Sequence, residues 1–244
     1  MAKKEPRIIF FDLETLADLP AVMTHLPRLS DYPGQTLKAS INSVICFGYK
    51  IGEKGAAKTI NAWDFKGWKV NVNDDLDLVK AARAILSTAD VVVTHNGKRF
   101  DWKFLQTRLM KHGLKPLHKI QHVDTCAVVK QNLYLINNRM NTVAKHLRTH
   151  EKLDNGGWEL WERVQKREKK AMRLMSKYCA QDVEVLAQIF KHLRPFAPVL
   201  KFSCEKCGSF KLRSEGTRTT RKMTYRRLSC KDCGHPNHER VEAP

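Results

Sequence analysis

The sequence predicts an α/β fold: a mixed five-stranded sheet flanked by helices, with a small second module at the C-terminus. Three features of the chain point there. Three strand-like segments fall within the first 65 residues, and two further short apolar strands then alternate with helical segments. Paired C-x-x-C hooks appear only after a Pro-bounded break near residue 197. Two units are therefore expected, residues 1–197 and residues 201–244.

In chain order, Arg7 to Leu13 (R-I-I-F-F-D-L) reads as a buried strand from its run of Ile and Phe. Ser43 to Ile51 and Lys58 to Phe65 read as two more, and the G-E-K-G turn between them suggests a hairpin. Asp74 to Ser87 has an acidic start and sets Leu76, Val79, Ala82 and Leu86 at helical spacing. Ala89 to Thr94 is a fourth strand running into H-N-G, Phe100 to His112 a helix closed by Gly113, and Ile120 to Val123 a fifth strand. Helical stretches follow around Ala127 to Asn132 and Asn141 to Leu147. A long last helix, Met172 to Leu193, stops at Pro195, and Pro195 and Pro198 bound the linker to the tail.

Charge narrows the function classes. Lys and Arg number 44 against 25 Asp and Glu, a net +19, while 42% hydrophobic and 28% charged residues exclude wholesale disorder. So basic a surface favours polyanions, meaning nucleic acid or an anionic membrane face. No run approaches the roughly 18 apolar residues that read as a membrane span, and M-A-K-K-E-P-R lacks a signal-peptide core. A reducing, intracellular setting without membrane partners is expected.

The tail carries its own chemistry. Cys204 and Cys207, then Cys230 and Cys233, form two C-x-x-C hooks, each followed by Gly, with 22 residues between them. That spacing lets four thiolates close tetrahedrally on one Zn²⁺, and Gly208 and Gly234 supply the permissive backbone of a sharp knuckle. Two disulfides or a redox pair are the rival readings; His235 and His238 stand close enough to substitute as ligands. About 45 residues follow Pro198, too few for a core without a staple. The segment between the hooks alternates around a Gly as a hairpin does, so the tail reads as a zinc ribbon. From Lys201 onward eleven Lys/Arg face five Asp/Glu, with Phe210 and Tyr225 interleaved. Such surfaces stack bases and hold phosphates, and an aromatic packed beneath a solvated hairpin is the alternative. Cys46, Cys126 and Cys179 read as small buried residues.

Acidic residues stand where an ordinary core would not want them. Asp12 and Glu14 end the first strand, two apart and so on one face. Asp101 opens a helix in H-N-G-K-R-F-D, and Asp182 follows Tyr178 by one turn on the last helix. Four such carboxylates suit two divalent cations, Mg²⁺ or Mn²⁺, which clamp the attacking and leaving oxygens of phosphodiester hydrolysis. Asp124, in H-V-D-T, reads as a helix cap, with a fifth site carboxylate as the alternative.

These motifs resemble those of the DEDD exonucleases of the ribonuclease H-like fold, which include polymerase proofreading domains. The D-x-E motif is matched by Asp12 and Glu14, the second by Asn96, Phe100 and Asp101, and the tyrosine-branch Y-x-x-x-D by Tyr178 and Asp182. Lys177 occupies the position where the histidine branch would carry His. The resemblance spans about residues 7–195, and N-R-M-N-T-V-A-K-H-L (Asn138–Leu147) is similar to a subgroup of predicted exonucleases related to family B proofreading domains.

The resemblance implies a metal-dependent 3′–5′ exonuclease. Asp12 would bridge both metals, Glu14 and Asp182 would complete the ion at the attacking water, and Asp101 would serve the second ion through water. Tyr178 would orient the water, while Asn96, with Phe100 beside it, and the Thr15 backbone would contact the terminal nucleotide. Single-stranded DNA or a frayed 3′ end is the expected substrate, with replication or repair proteins as further partners. An exoribonuclease of the same fold and a non-catalytic replication adaptor are the rivals. The sequence departs from the proofreading pattern: these 244 residues are expected to hold a zinc ribbon, not a polymerase body, beside the motifs. Finally, Val143 to Lys177 holds ten Lys/Arg against five acids just before the Tyr178 helix, with Trp158 and Trp161 beside it. This stretch is expected to line the strand entry or to be a solvated helix face; the two tryptophans, to form a stacking wall or pack into the core.

Overall fold

The computed structural model describes residues 6–17, 41–150, 153, 157, 159–200, 203–220 and 223–241. Five strands form its main sheet, in the order β3-β2-β1-β4-β5: β1 (Ile8–Ala17), β2 (Ile41–Ile51), β3 (Lys58–Asn61), β4 (Val91–Thr94) and β5 (Gln121–Asp124). β1, β2 and β3 pair antiparallel, whereas β1 with β4 and β4 with β5 pair parallel, so the sheet is mixed as expected. Seven helices complete the described part of this unit. They are α1 (Lys66–Val70), α2 (Leu76–Leu86), α3 (Asp101–Lys111), α4 (Thr125–Asn132), α5 (Met140–His146), α6 (Glu159–Gln165) and α7 (Lys169–Leu193). A three-stranded antiparallel sheet follows, from β6 (Leu212–Thr219), β7 (Thr224–Cys230) and β8 (Pro236–Val241).

The period-two geometry of β1 decides the layers. Ile9, Phe11 and Leu13 pack one face of the sheet with Leu78 and Leu86 of α2 and Leu105 and Leu109 of α3. Ile8 and Phe10 pack the other face with Val129, Val143, Val183 and Ile189 from α4, α5 and α7. β4 splits the same way, Val92 to the first face and Val91 and Val93 to the second. A strand covered on both faces has no polar side to keep, which is why V-V-V reads as a continuous apolar run. Among the described residues no helix is long and apolar enough to cross a membrane.

Local chemistry moves some boundaries. β3 stops at Asn61 rather than Phe65, because Asn61 and Asp64 cap each other and turn Ala62–Asp64 into a 3₁₀ turn. α1, α6 and β8 are additional elements, the first two short and each tied down by few buried groups: Trp68 in one, Leu160 and Val164 in the other. In the tail the hairpin connection lies between Thr219 and Thr224, not at Gly216. That glycine, at φ +91°, sits in a bulge between Ser214 and Thr217.

One buried ion network braces the sheet edge. The Asp75 carboxylate receives Arg108 Nε and Nη2 at 2.8 and 2.6 Å and the Val44 amide at 2.8 Å, with His112 Nε2 at 2.6 Å. Asp75 and Arg108 are 1% and 3% exposed, so neither charge has water as a substitute partner. Arg108→Ala is expected to lower unfolding free energy by about 3–5 kcal/mol, because the Asp75 charge stays buried without its main counter-ion. Urea denaturation reads this directly, and a loss within experimental error would contradict it.

Candidate active site

The acidic cluster forms where β1 outruns its neighbour. β4 pairs with β1 only over Ile8 to Phe10, so the edge of β1 beyond Phe10 is open on that side. The Leu13 amide turns to Asp101, donating to Oδ1 at 3.1 Å, and this draws the first turn of α3 onto the strand between Asp12 and Glu14. Both of those carboxylates point to the α7 face, each lying within 4.8 Å of the Cys179 sulfur and of the other. Tyr178 and Asp182 stand one turn apart on the same stretch of α7, where Asp182 is 1% exposed. Trp161 meets the Tyr178 ring edge-on at 6.1 Å and 76°, packing against the phenol from α6; Trp158 lies outside the described residues.

The buried acids of this cluster carry a charge that water does not offset. Burial pushes the Asp101 carboxyl up to about 6, and the nearby Asp124 charge adds to that, against the donated amides of Asp101 and Leu13. Like-charged carboxylates out of water favour either protonation or a cation between them. The Cys179 thiol is held well above its ordinary value, first by its hydrogen bond with Cys46 and then by burial. It therefore remains a thiol and leaves an all-oxygen donor set, which suits hard divalent ions such as Mg²⁺ or Mn²⁺.

Beside Asp12 opens a cleft of about 650 Å³, lined among others by His95, Asn96, Arg99, Lys130 and Arg139. Its wall is built around Asp124. Asp124 Oδ1 accepts from Asn96, Cys126 and Ala127 amides at 2.7, 3.0 and 3.4 Å, and Oδ2 accepts from Lys98 at 3.1 Å. One carboxylate thus caps α4 and folds the H-N-G-K loop over itself, holding Asn96 at φ +66°. Gly97 is required there, since a Cβ would stand 2.5 Å from Thr94. His95 ties the loop onward, with Nδ1 at 2.8 Å from Thr125 Oγ1 and Nε2 at 2.8 Å from the Asn138 carbonyl. Thr15 follows a register shift after Glu14, and Phe100 stacks on Phe104 at 5.7 Å, both half-buried. The cap expected at Asp124 is present; its grip on the Asn96 loop was not visible in sequence, because Asn96 and Asp124 are 28 residues apart. Arg99 lies in H-N-G-K-R-F-D and Arg139 in N-R-M-N-T-V-A-K-H-L, but nothing in their spacing distinguishes cleft from solvent.

In the tail, the four hook sulfurs all lie within 4.8 Å of one another, with Cys204 to Cys233 at 3.7 Å and Cys207 to Cys230 at 3.6 Å. Four thiolates bound tetrahedrally at about 2.3 Å from one Zn²⁺ stand about 3.8 Å apart, so the donor set fits that ion. Burial pushes Cys207 up to about 12; Cys204, despite burial, comes down to about 7 through the Cys207 and Lys206 amides and Asn237. A cation would let these crowded thiols ionise together. Gly208 and Gly234 adopt φ +68° and +72° and donate to the Cys204 and Cys230 carbonyls at 2.9 Å, as the knuckle geometry requires. Phe210 does not face solvent freely: it packs on the main core, and the Arg194 guanidinium lies over its ring at 5.4 Å.

A family model described as RNase_H_2, of the RNase_H superfamily, matches residues 34–194. The chain belongs to the RNase_H superfamily. Membership supports a nuclease activity and, with it, nucleic-acid binding; the matched range begins after β1 and its two acids. Among solved structures, this RNase_H-superfamily chain is similar to the family B DNA polymerase from the hyperthermophilic archaeon Pyrobaculum calidifontis. The TM-score is 0.51 at 18% identity, over 78% of this chain and 25% of the polymerase chain. The likeness is one of fold, and the chain spans only a quarter of that polymerase's length. No curated protein matches the sequence.

Asp124→Ala is expected to destabilise the protein by roughly 1–2 kcal/mol through the lost cap. Hydrogen exchange at the Asn96, Lys98, Cys126 and Ala127 amides should accelerate while the Leu105 and Val183 amides keep their protection. Uniform acceleration across the core would show that Asp124 does not act locally.

Proposed function

We propose that the protein is a metal-dependent 3′–5′ exonuclease acting on single-stranded DNA or frayed 3′ ends. One observation carries the reading: Asp12, Glu14 and Asp101 converge on one end of β1, beside a cleft walled by Arg99, Lys130 and Arg139. The 3′–5′ polarity and the DNA substrate rest on the motif resemblance, above all on Tyr178 and Asp182. Asp12, Glu14, Asp101 and Asp182 would hold two Mg²⁺ or Mn²⁺ ions. When bound, these supply Lewis acidity at the attacked phosphate and an activated water.

The chain's own residues supply position and charge. Arg99, Lys130 and Arg139 draw the phosphate backbone into a cleft that its carboxylates alone would repel. Asn96, which lines the cleft, would contact the terminal nucleotide, with Phe100 and the Thr15 backbone, which follows Glu14 on β1, as further contacts. The Tyr178 phenol, fixed by Trp161, orients the attacking water through a hydrogen bond rather than taking its proton. Cys204, Cys207, Cys230 and Cys233 would hold one structural Zn²⁺, which the residue 201–244 unit needs in place of a core.

With 5′-labelled DNA and RNA oligonucleotides and Mg²⁺ or Mn²⁺, a ladder shortening from the 3′ end is expected on DNA and abolished by Asp12→Ala. Tyr178→Phe should lower kcat about 10²-fold with little change in KM. Cleavage of RNA alone would make the enzyme an exoribonuclease, nicking of circular DNA would contradict the polarity, and binding without cleavage would make it an adaptor. Metal analysis should find one zinc per chain, lost in Cys207→Ser with a lower Tm; a metal-free chain of unchanged Tm would remove the zinc assignment.

A further inference from the structure

We propose that the exposed face of the β6–β7–β8 sheet is a docking surface for single-stranded nucleic acid, separate from the cleft. The strand register defines it. Arg218 of β6 and Arg240 of β8 both stand directly opposite Tyr225 of β7, so the three share one face as an Arg–Tyr–Arg row. Two residues along β7, Arg227 opposes His238, and beyond it Ser229 opposes Arg213. Leu228 and Asn237, opposite each other on the other face, are 5% and 4% exposed, which leaves the arginine face outward. All four arginines are exposed.

The charge on this face is predominantly positive. Its acid among the described residues is Glu215, taken up by Arg213 Nη2 at 2.7 Å and by Ser229 Oγ at 2.6 Å. No described residue forms an ion pair with Arg218, Arg227 or Arg240. The other face differs: Arg226 there pairs with Glu239 at 3.5 Å. Flat arginine forks match phosphate oxygens, and an aromatic ring between them offers a platform on which a base stacks irrespective of its identity. An unpaired strand presents both groups together, whereas an anionic membrane presents only the phosphate.

The surface is built from β6, β7 and β8, none of which carries a carboxylate of the candidate site. The tail joins after α7, and Arg194 lies 12 residues beyond Asp182, about 18 Å along the helix axis. The choice of partner rests on the nuclease reading, but the binding is testable without it.

The test uses the full chain carrying Asp12→Ala, so that a fluorescein-labelled oligothymidylate stays intact during anisotropy titrations. Arg218→Glu with Arg240→Glu is expected to weaken binding at least tenfold at unchanged zinc content. Arg218→Gln with Arg240→Gln provides the milder version should the reversal disturb folding, and it should flatten the log K against log[salt] slope by about 1.4, two phosphates' worth. Tyr225→Ala should weaken binding about tenfold, with Tyr225→Phe restoring it. With Asp12 restored, the arginine variants should hydrolyse bis(p-nitrophenyl) phosphate, which needs only the carboxylate site, at the parent rate. Oligothymidylate affinity within twofold of the parent in both arginine pairs overturns the proposal, as does selective loss of phosphatidylserine-vesicle binding with oligonucleotide binding intact. A parent that cleaves nothing, but whose binding still depends on Arg218 and Arg240, would remove the nuclease reading and leave this surface standing.

Discussion

Burial of β1 on both faces is the constraint from which the rest follows. Its odd residues belong to the α2–α3 layer and its even residues to the α4–α5–α7 layer, so a slip by one position would invert both cores at once. That rigidity fixes where Asp12 and Glu14 emerge, because they continue the even series of Ile8 and Phe10. The apolar part of the strand secures the register; the acidic part uses it. Where β4 pairing ends at Phe10, the open edge of β1 receives Asp101, and a sheet terminus becomes a cluster of acids from β1 and α3.

Such a cluster opposes folding unless something offsets its charge. The burial that holds Asp101 near 6 is the same burial that would strengthen its hold on a cation, since both effects come from exclusion of water. The chain's net +19 is the long-range counterpart of this local acidity. Arg99, Lys130 and Arg139 bring some of that surplus to the cleft, and the arginine face of the small sheet carries more of it. An acidic pocket within a basic surface is contradictory for a membrane binder and coherent for a protein that must attract a phosphate backbone and then place it against cations.

What sequence revealed depended on the range of the interaction. The five strands, the approximate places of five of the seven helices, and the two C-x-x-C hooks rest on neighbours a few residues apart, where alternation, caps and spacing speak plainly. Ala62–Asp64 was misjudged as strand because a reciprocal cap between Asn61 and Asp64 outweighs apolar pattern over so short a span. Gly216 suggested a turn and made a bulge, since both require its positive φ. Among the carboxylates, the spacing of Asp12 and Glu14 was legible, but the meeting of Asp101 with the Leu13 amide spans 88 residues. Asp124 shows the limit best: its cap is local and was readable, while its hold on the Asn96 loop exists only in three dimensions.

The small sheet is coupled to the helix that bears Tyr178 and Asp182. Arg194, directly after α7, has its guanidinium over Phe190 of that helix at 5.5 Å and over Phe210 of the tail at 5.4 Å. It also pairs with Glu53 in the β2–β3 turn. Gly208, in the first C-x-x-C knuckle, packs so near the Arg194 carbonyl that a Cβ would stand 2.5 Å from it. The close approach at Gly208 therefore ties the conformation of the first knuckle to the place of Arg194 between its two rings. Arg194 is thus the residue through which the tail meets both the end of α7 and the β2–β3 turn.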